Sequence, residues 1–198
     1  MNKKELISHL RKQGFSEAIL KGFKKVKRED FIPKEYKKYA YCDGAVPIGC
    51  GATISQPYTI AFMLDLLELN KKLTKVLEIG SGSGYVLALL SKIVDGKIYG
   101  VEIIKELAEK SKGVLRKNKK IKVINKSGFN GLPEYASFDR ILISASAPNE
   151  EAVLKLKEQL KENGIIVASV GNKIIKIKKV NDNIEKFYGF AFVHLIED

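Results

Sequence analysis

Histidine and cysteine are nearly missing from this chain: it has His9 and His194, Cys42 and Cys50, and no others. Two thiols cannot build a disulfide framework, and with no C-x-x-C pair or histidine cluster there is no ligand set for a metal. Neither histidine falls in the turn-rich stretches, so Ser–His or Cys–His nucleophilic chemistry lacks its base. Long apolar runs are missing too, and none approaches the length needed to cross a bilayer. The opening MNKKELISHLRKQ reads as a charged amphipathic helix rather than a signal peptide, because no apolar stretch follows it. Internal repeats and low-complexity linkers are absent. Arginine is scarce, with Arg11, Arg28, Arg116 and Arg140 as its only occurrences, so lysines carry most of the net charge of +12. The lysine runs (KKVKR, RKNKKIK, KIIKIKK) interleave with apolar residues at helix or strand spacing and have few aromatics beside them. They read as solvated faces with weak affinity for polyanions, which disfavours a dedicated nucleic-acid groove. The expectation is a cytoplasmic monomer without a membrane partner.

What is present describes one globular domain. At 198 residues, 45% apolar, the chain can bury a substantial core as a single unit. Residues 1–56 are expected to form helices and a loop, and 57–198 an α/β core. Leu6, Ile7 and Leu10 line one face of a helix that Gly14 ends. Ser16 is placed to cap the next, which carries Ile19, Leu20, Phe23 and Val26. Residues 42–56 (CDGAVPIGCGATISQ) concentrate turn formers without periodicity and read as one long loop, of a length that is usually functional. Pro57 then opens PYTIAFMLDLLELN, where its missing N–H costs nothing. Ser55, just ahead of that proline, reads as the helix cap.

From residue 74 strands and helices alternate: KVLEIG, YVLALLSKIV, GKIYGVEI, IKELAEKSKGVLRKN, IKVINK, FDRILISASA, and a helix EEAVLKLKEQLKENG ending at Gly164. IIVASVG, KIIKIKKV and YGFAFVHL follow without room for helices between them, so the sheet is expected to finish in an antiparallel pair. The pattern predicts a doubly wound, mostly parallel α/β sheet.

VLEIGSGSGY places Glu78, Gly80, Gly82 and Gly84 at a strand-to-helix turn, and Glu102 closes the next strand, where a carboxylate can accept both hydroxyls of a ribose. A dinucleotide fingerprint would require a third glycine at position 85, which is Tyr85. The acid two residues before the loop repels a pyrophosphate and suits a cationic ligand tail.

Together with VEI downstream, this stretch resembles the S-adenosylmethionine-binding motifs of class I methyltransferases. The flanks narrow the likeness. REDFIPKEYKKYAYCDGAVPIGCGATISQPYTIAFMLDLL, FDRILISASAP and the closing FVHL resemble the protein-L-isoaspartate (D-aspartate) O-methyltransferase family from about residue 5 to the C-terminus. TISQP is the most specific part, because other class I methyltransferases lack it. The resemblance implies a seven-stranded Rossmann-like methyltransferase sheet, S-adenosylmethionine as methyl donor, and the α-carboxylate of L-isoaspartyl (and D-aspartyl) residues in damaged proteins as acceptor. It carries over Ser55 as the active-site residue, with Thr53, Ile54 and Tyr58 as its substrate-side neighbours; at position 58 many members have His and others Tyr. Gly80, Ser81, Gly82 and Gly84 match the cofactor loop, with Glu78 below it, Glu102 the ribose acid, and Ser127 and Gly128 the residues near adenine. The family's usual Asp is Ser127 here, which weakens the hydrogen bond to the adenine amine. Ser169 and His194 stand where prolines are common, a departure on the substrate rim.

The residues support this chemistry independently. A carboxylate with a pKa near ~4 is ionised at neutral pH and needs no general base, so the site must supply orientation and exclude water. Ser55 would then be an orienting donor. Cys50 reads as a small apolar residue rather than a nucleophile. Three alternatives remain open at this point: an RNA or DNA methyltransferase, a cofactor-binding relative without turnover, and a small-molecule carboxyl methyltransferase. Against the first, ILISASAP carries no N-P-P-Y or D-P-P-Y stretch and there is no Pro-Cys pair.

Overall fold

The computed structural model describes residues 1–181, 183–192 and 195. Two helices come first, α1 (Lys3–Lys12) and α2 (Glu17–Lys25). Asn2 accepts from the backbone of Lys4 and Glu5 while Glu5 bonds back to the Asn2 backbone, a capping box that fixes the start of α1. Ser16 does occupy the cap position of α2, but its side chain makes no capping bond, which departs from the expectation.

Residues 42–56 are not one open loop. They contain a hairpin, β1 (Val46–Gly49) and β2 (Ala52–Ile54), paired antiparallel with Val46 opposite Ile54. Its tip runs through three successive left-handed residues, Gly49, Cys50 and Gly51, which tighten the turn. Strands this short lack the run of alternating residues that marks a strand in sequence. α3 (Pro57–Leu66) follows, with Pro57 at its first position as expected.

The core is β3 (Lys75–Ile79), α4 (Tyr85–Ile93), β4 (Lys97–Glu102), α5 (Lys105–Leu115), β5 (Ile121–Asn125), β6 (Phe138–Ala147), α6 (Glu150–Lys155), β7 (Leu160–Val170), β8 (Lys173–Lys178) and β9 (Ile184–Tyr188). Seven strands form one sheet in the order β5-β4-β3-β6-β7-β8-β9. The first five in that order run parallel, β8 is antiparallel to both neighbours, and the doubly wound expectation holds. Two boundaries differ. The helix expected to run to Gly164 ends at Lys155, and after a 3-10 turn the segment from Leu160 is already strand. Gly164 therefore lies within β7, where the pairing with β6 jumps from Leu160 to Ile165. The final strand is Ile184–Tyr188 rather than 188–195; residues 188–192 and 195 line a cavity instead, and His194 lies outside the described residues.

Period-two alternation divides the sheet's side chains between two apolar cores. Val76, Ile98, Leu142 and Val167 face the N-terminal helices, while Leu77, Ile79, Ile141, Ile143 and Ile166 face the side of α6. The chain leaves β3 toward β4 on one side and returns to β6 on the other. This puts a topological switch at the carboxyl ends of β3 and β6, where ligands of such sheets bind. Lys24 and Lys25 in the last turn of α2, and Lys92, Lys112 and Lys155 in those of α4, α5 and α6, complement the negative helix ends.

Candidate active site

The turn after β3 is built from glycines for steric reasons. Gly80 and Gly82 have positive φ, and a Cβ on Gly80 would stand 2.7 Å from that of Ala145 on β6. Glu102, at the end of β4, fastens the loop: its Oε2 accepts from the Gly82 N–H at 2.7 Å and its Oε1 from the Ile104 N–H at 2.9 Å. It is 5% exposed, and it borders the large cavity. Gly84 plays a different part from the one its motif suggests. It caps α4 at φ 80° with the space beside it filled by Leu115, and it borders neither principal cavity.

Alternation along β3 turns Glu78 to the same side as Val76, and along β6 turns Ser144 to the same side as Leu142. The two strands are neighbours with Glu78 opposite Leu142, so Ser144 Oγ donates to Glu78 Oε1 at 2.8 Å. The other oxygen, Oε2, is buried and has no partner among the described residues. Burial pushes the carboxyl up to about 8, against the opposing Ser144 hydrogen bond, with Glu102 adding to the rise. Ser81 Oγ is the second buried polar atom of this loop without a partner.

Two cavities meet over the loop. The larger, about 1030 Å³, runs from Glu102, Ile104 and Gly128 across Gly80 and Gly82 to the hairpin, Gln56 and Tyr58, with Phe190 and Phe192 as its far wall. The smaller, about 60 Å³, contains Glu78, Ser81 and Tyr85. Thr53, Ser55, Gly80, Gly82 and Ser144 border both. The hairpin thus brings Thr53 and Ser55 to the seam with the glycine loop; Ile54 is buried behind them in the core and borders the smaller cavity. Tyr58 borders the larger one, packed against Phe15 and Phe62.

Ser55 does not cap α3, contrary to the sequence reading. The cap position is Gln56, and the bond is made from a distance by Asp43, whose Oδ1 accepts from the Tyr58 N–H at 2.8 Å while its Oδ2 accepts from Gln56 Nε2 at 3.1 Å. The Ser55 hydroxyl makes no hydrogen bond among the described residues, and is left free at the seam. Of the two residues the resemblance puts near adenine, Gly128 borders the large cavity but Ser127 does not; the Ser127 Oγ accepts from the Phe129 N–H at 3.4 Å. Ser169 is fully buried in β7 and donates to the Ile143 carbonyl, so it is not on the rim. Asp43, Ser144 and the aromatic segment 188–192 were missed from sequence. Ser144 carried no clear signal, since β6 also holds Asp139, Arg140 and Ser146; Asp43 was hidden in what read as an ordinary Asp-Gly turn.

The residues present fit S-adenosylmethionine. An unpaired buried carboxyl oxygen beneath a loop with no room for side chains suits an ammonium tail, and the carboxylate ending β4 suits a ribose. No group of three or more His, Cys, Asp or Glu side chains able to hold a metal occurs among the described residues. Fold and site together define a class I S-adenosylmethionine-dependent methyltransferase.

The family model for protein-L-isoaspartate(D-aspartate) O-methyltransferase matches residues 1–196. A protein-L-isoaspartate O-methyltransferase of Fervidobacterium nodosum is 43% identical over 180 residues, covering 88% of each chain. A solved protein-L-isoaspartate O-methyltransferase superimposes with a TM-score of 0.87 at 25% identity, over 98% of this chain; the present chain spans 65% of that protein's length. A Plasmodium falciparum protein of the same description, solved with S-adenosyl-L-homocysteine, gives 0.86 at 25% identity over the full length of both chains. The chain belongs to the protein-L-isoaspartate(D-aspartate) O-methyltransferase family.

Proposed function

We propose that this protein transfers a methyl group from S-adenosylmethionine to the α-carboxylate of L-isoaspartyl and D-aspartyl residues in damaged proteins. The observation that carries the reading is the free Ser55 hydroxyl at the seam between the cavity above the glycine loop and the chamber holding Glu78. Bound S-adenosylmethionine supplies the methyl group as an electrophilic sulfonium.

The chain's own part is binding, orientation and exclusion of water. Glu78 Oε2, buried without a partner among the described residues, would hold the ammonium of the methionine portion, and the Gly80–Gly82 backbone leaves room for it to approach. Glu102 holds the loop by one lone pair on each oxygen, leaving further acceptor capacity for ribose hydroxyls. Gly128, where a Cβ would stand 2.4 Å from the Ile79 side chain, packs tightly on the core and borders the large cavity with its backbone, where the resemblance puts adenine. The acceptor carboxylate is already ionised, so the site needs no base, and neither cavity is lined by a described histidine. Ser55 donates a hydrogen bond to that carboxylate, which stays ionised, and holds one oxygen in line for attack, with Thr53 beside it. Tyr58, Phe190 and Phe192 shield the peptide side from water.

The same reading has the protein working as a cytoplasmic monomer without a nucleic-acid partner. No helix among the described residues is long and apolar enough to cross a membrane. The test is to supply methyl-labelled S-adenosylmethionine with an isoaspartyl peptide, its normal aspartyl twin and bulk RNA. Label is expected in the isoaspartyl peptide alone, as a base-labile ester. Label in RNA, or equal label in both peptides, would overturn the reading.

A further inference from the structure

We propose that Arg28 is a positioning residue for turnover: its buried guanidinium staples the base of the β1–β2 hairpin and so fixes where the Ser55 hydroxyl stands. The inference rests on the role given above to Ser55.

Arg28 begins a 3-10 turn (Arg28–Phe31) and is completely buried. Its Nη2 donates to the carbonyls of Ser55 at 3.0 Å, Gly44 at 3.4 Å and Ile54 at 3.5 Å. Gly44 lies just before β1, while Ile54 and Ser55 lie at the end of β2. One nitrogen therefore ties together the chain entering the hairpin and the chain leaving it. The ring of Tyr85, which borders the small chamber, lies 5.2 Å from the guanidinium carbon. Burial lowers the guanidinium's pKa, and Tyr85 and Asp43 oppose that.

Stability alone does not explain this choice of residue. Nε and Nη1 are buried and find no partner among the described residues. An apolar side chain of similar length would remove both unmatched donors and the cost of burying a charge. It offers no donor to the three carbonyls that Nη2 gathers. The chain also spends one of its few arginines here, where a fixed fork of donors is useful and a lysine point charge is less so. Asp43 holds the far side of the same segment through Tyr58 and Gln56. Ser55 thus sits between two fixed backbone attachments, with its side chain uncommitted.

The test compares Arg28→Met and Arg28→Lys, each alone and combined with Ser55→Ala, by melting temperature, S-adenosylhomocysteine affinity, and kcat and KM for an isoaspartyl peptide. Arg28→Met is expected to melt close to the parent, because removal of two unmatched donors and a buried charge offsets the three carbonyls it orphans, and to bind S-adenosylhomocysteine unchanged. Its kcat should fall by roughly 10- to 100-fold, the scale of a misplaced orienting group. Arg28→Lys should recover part of that loss. Adding Ser55→Ala to Arg28→Met should cost little beyond Ser55→Ala alone, because both act through one hydroxyl. Unchanged kcat in Arg28→Met, or a loss that tracks melting temperature and cofactor affinity, overturns the proposal. So do losses that multiply in the double variant. If Arg28→Met fails to fold, Arg28→Lys is judged by the same criteria, and failure of both assigns Arg28 to folding alone. Intact kcat in Ser55→Ala sinks the Ser55 reading itself; a Ser55→Ala defect with normal Arg28 variants sinks only this inference.

Discussion

Glu78 offers the sharpest quantitative prediction, because its burial couples folding, pH and cofactor binding. Its carboxyl is fully enclosed, one oxygen has no partner among the described residues, and desolvation pushes it up from 4.5 to about 8. Between those two values the unfolded chain has lost this proton and the folded one keeps it, so folding takes up a proton. Stability from this group is therefore fully present below about pH 4.5 and is lost as pH rises through about 8. At ~1.36 kcal/mol per unit, the whole swing is on the order of 5 kcal/mol. Glu78→Gln removes it. The variant should show a flatter melting temperature between pH 5 and 8.5, and above pH 8 it should match or exceed the parent despite an unmatched amide donor worth ~1–3 kcal/mol. Binding reports the same group from the other side. An ammonium beside Oε2 favours the ionised form, so S-adenosylhomocysteine should bind more tightly as pH rises toward 8. At pH 7 it should release close to one proton, measured as the dependence of calorimetric heat on buffer ionisation enthalpy. Glu78→Gln should release none and bind more weakly. A parent protein with a flat stability profile and no proton release would refute the reasoning.

Other perturbations separate cap, loop and catalytic roles. Ser55→Ala should leave unfolding stability within ~0.5 kcal/mol of the parent, since its hydroxyl makes no bond among the described residues, while lowering kcat far more than cofactor affinity; a matching fall in all three would return it to a structural role. Asp43→Ala removes the acceptor at the start of α3 and should cost ~1 kcal/mol in denaturant unfolding; no loss would show that the Tyr58 N–H is satisfied in another way. Gly80→Ala combines a φ of 75° with a 2.7 Å approach to Ala145, and should cost ~1–3 kcal/mol while abolishing S-adenosylhomocysteine binding at micromolar concentration. A stable Gly80→Ala that binds normally would mean the loop has more freedom than its contacts imply.

The parts legible in the sequence were those set by local pattern. Alternating apolar runs gave the strands of the parallel sheet, and Gly80, Gly82 and Glu102 announced a ligand loop through spacing alone. What escaped detection depends on contacts across the chain. Ser55 before Pro57 looked like a helix cap because cap propensity is local, yet the acceptor is Asp43, which lies 15 residues before Tyr58. The helix expected through residue 164 stopped nine residues short at Lys155, because pairing with β6 claimed the segment from Leu160 for the sheet. Tertiary pairing overrode a good helical period there. Arg28 read as one more charge in a lysine run; only its enclosure by Tyr85 and the hairpin carbonyls marks it as different.

The central claim is that one seam holds the cofactor's ammonium on Glu78 and the acceptor carboxylate on Ser55. Its most direct measurement is a structure of the protein with S-adenosylhomocysteine and an isoaspartyl peptide bound together. The account predicts the ammonium within hydrogen-bond distance of Glu78 Oε2 and the isoaspartyl α-carboxylate accepting from Ser55 Oγ. A carboxylate seated elsewhere in the cavity, with Ser55 still unengaged, would contradict it.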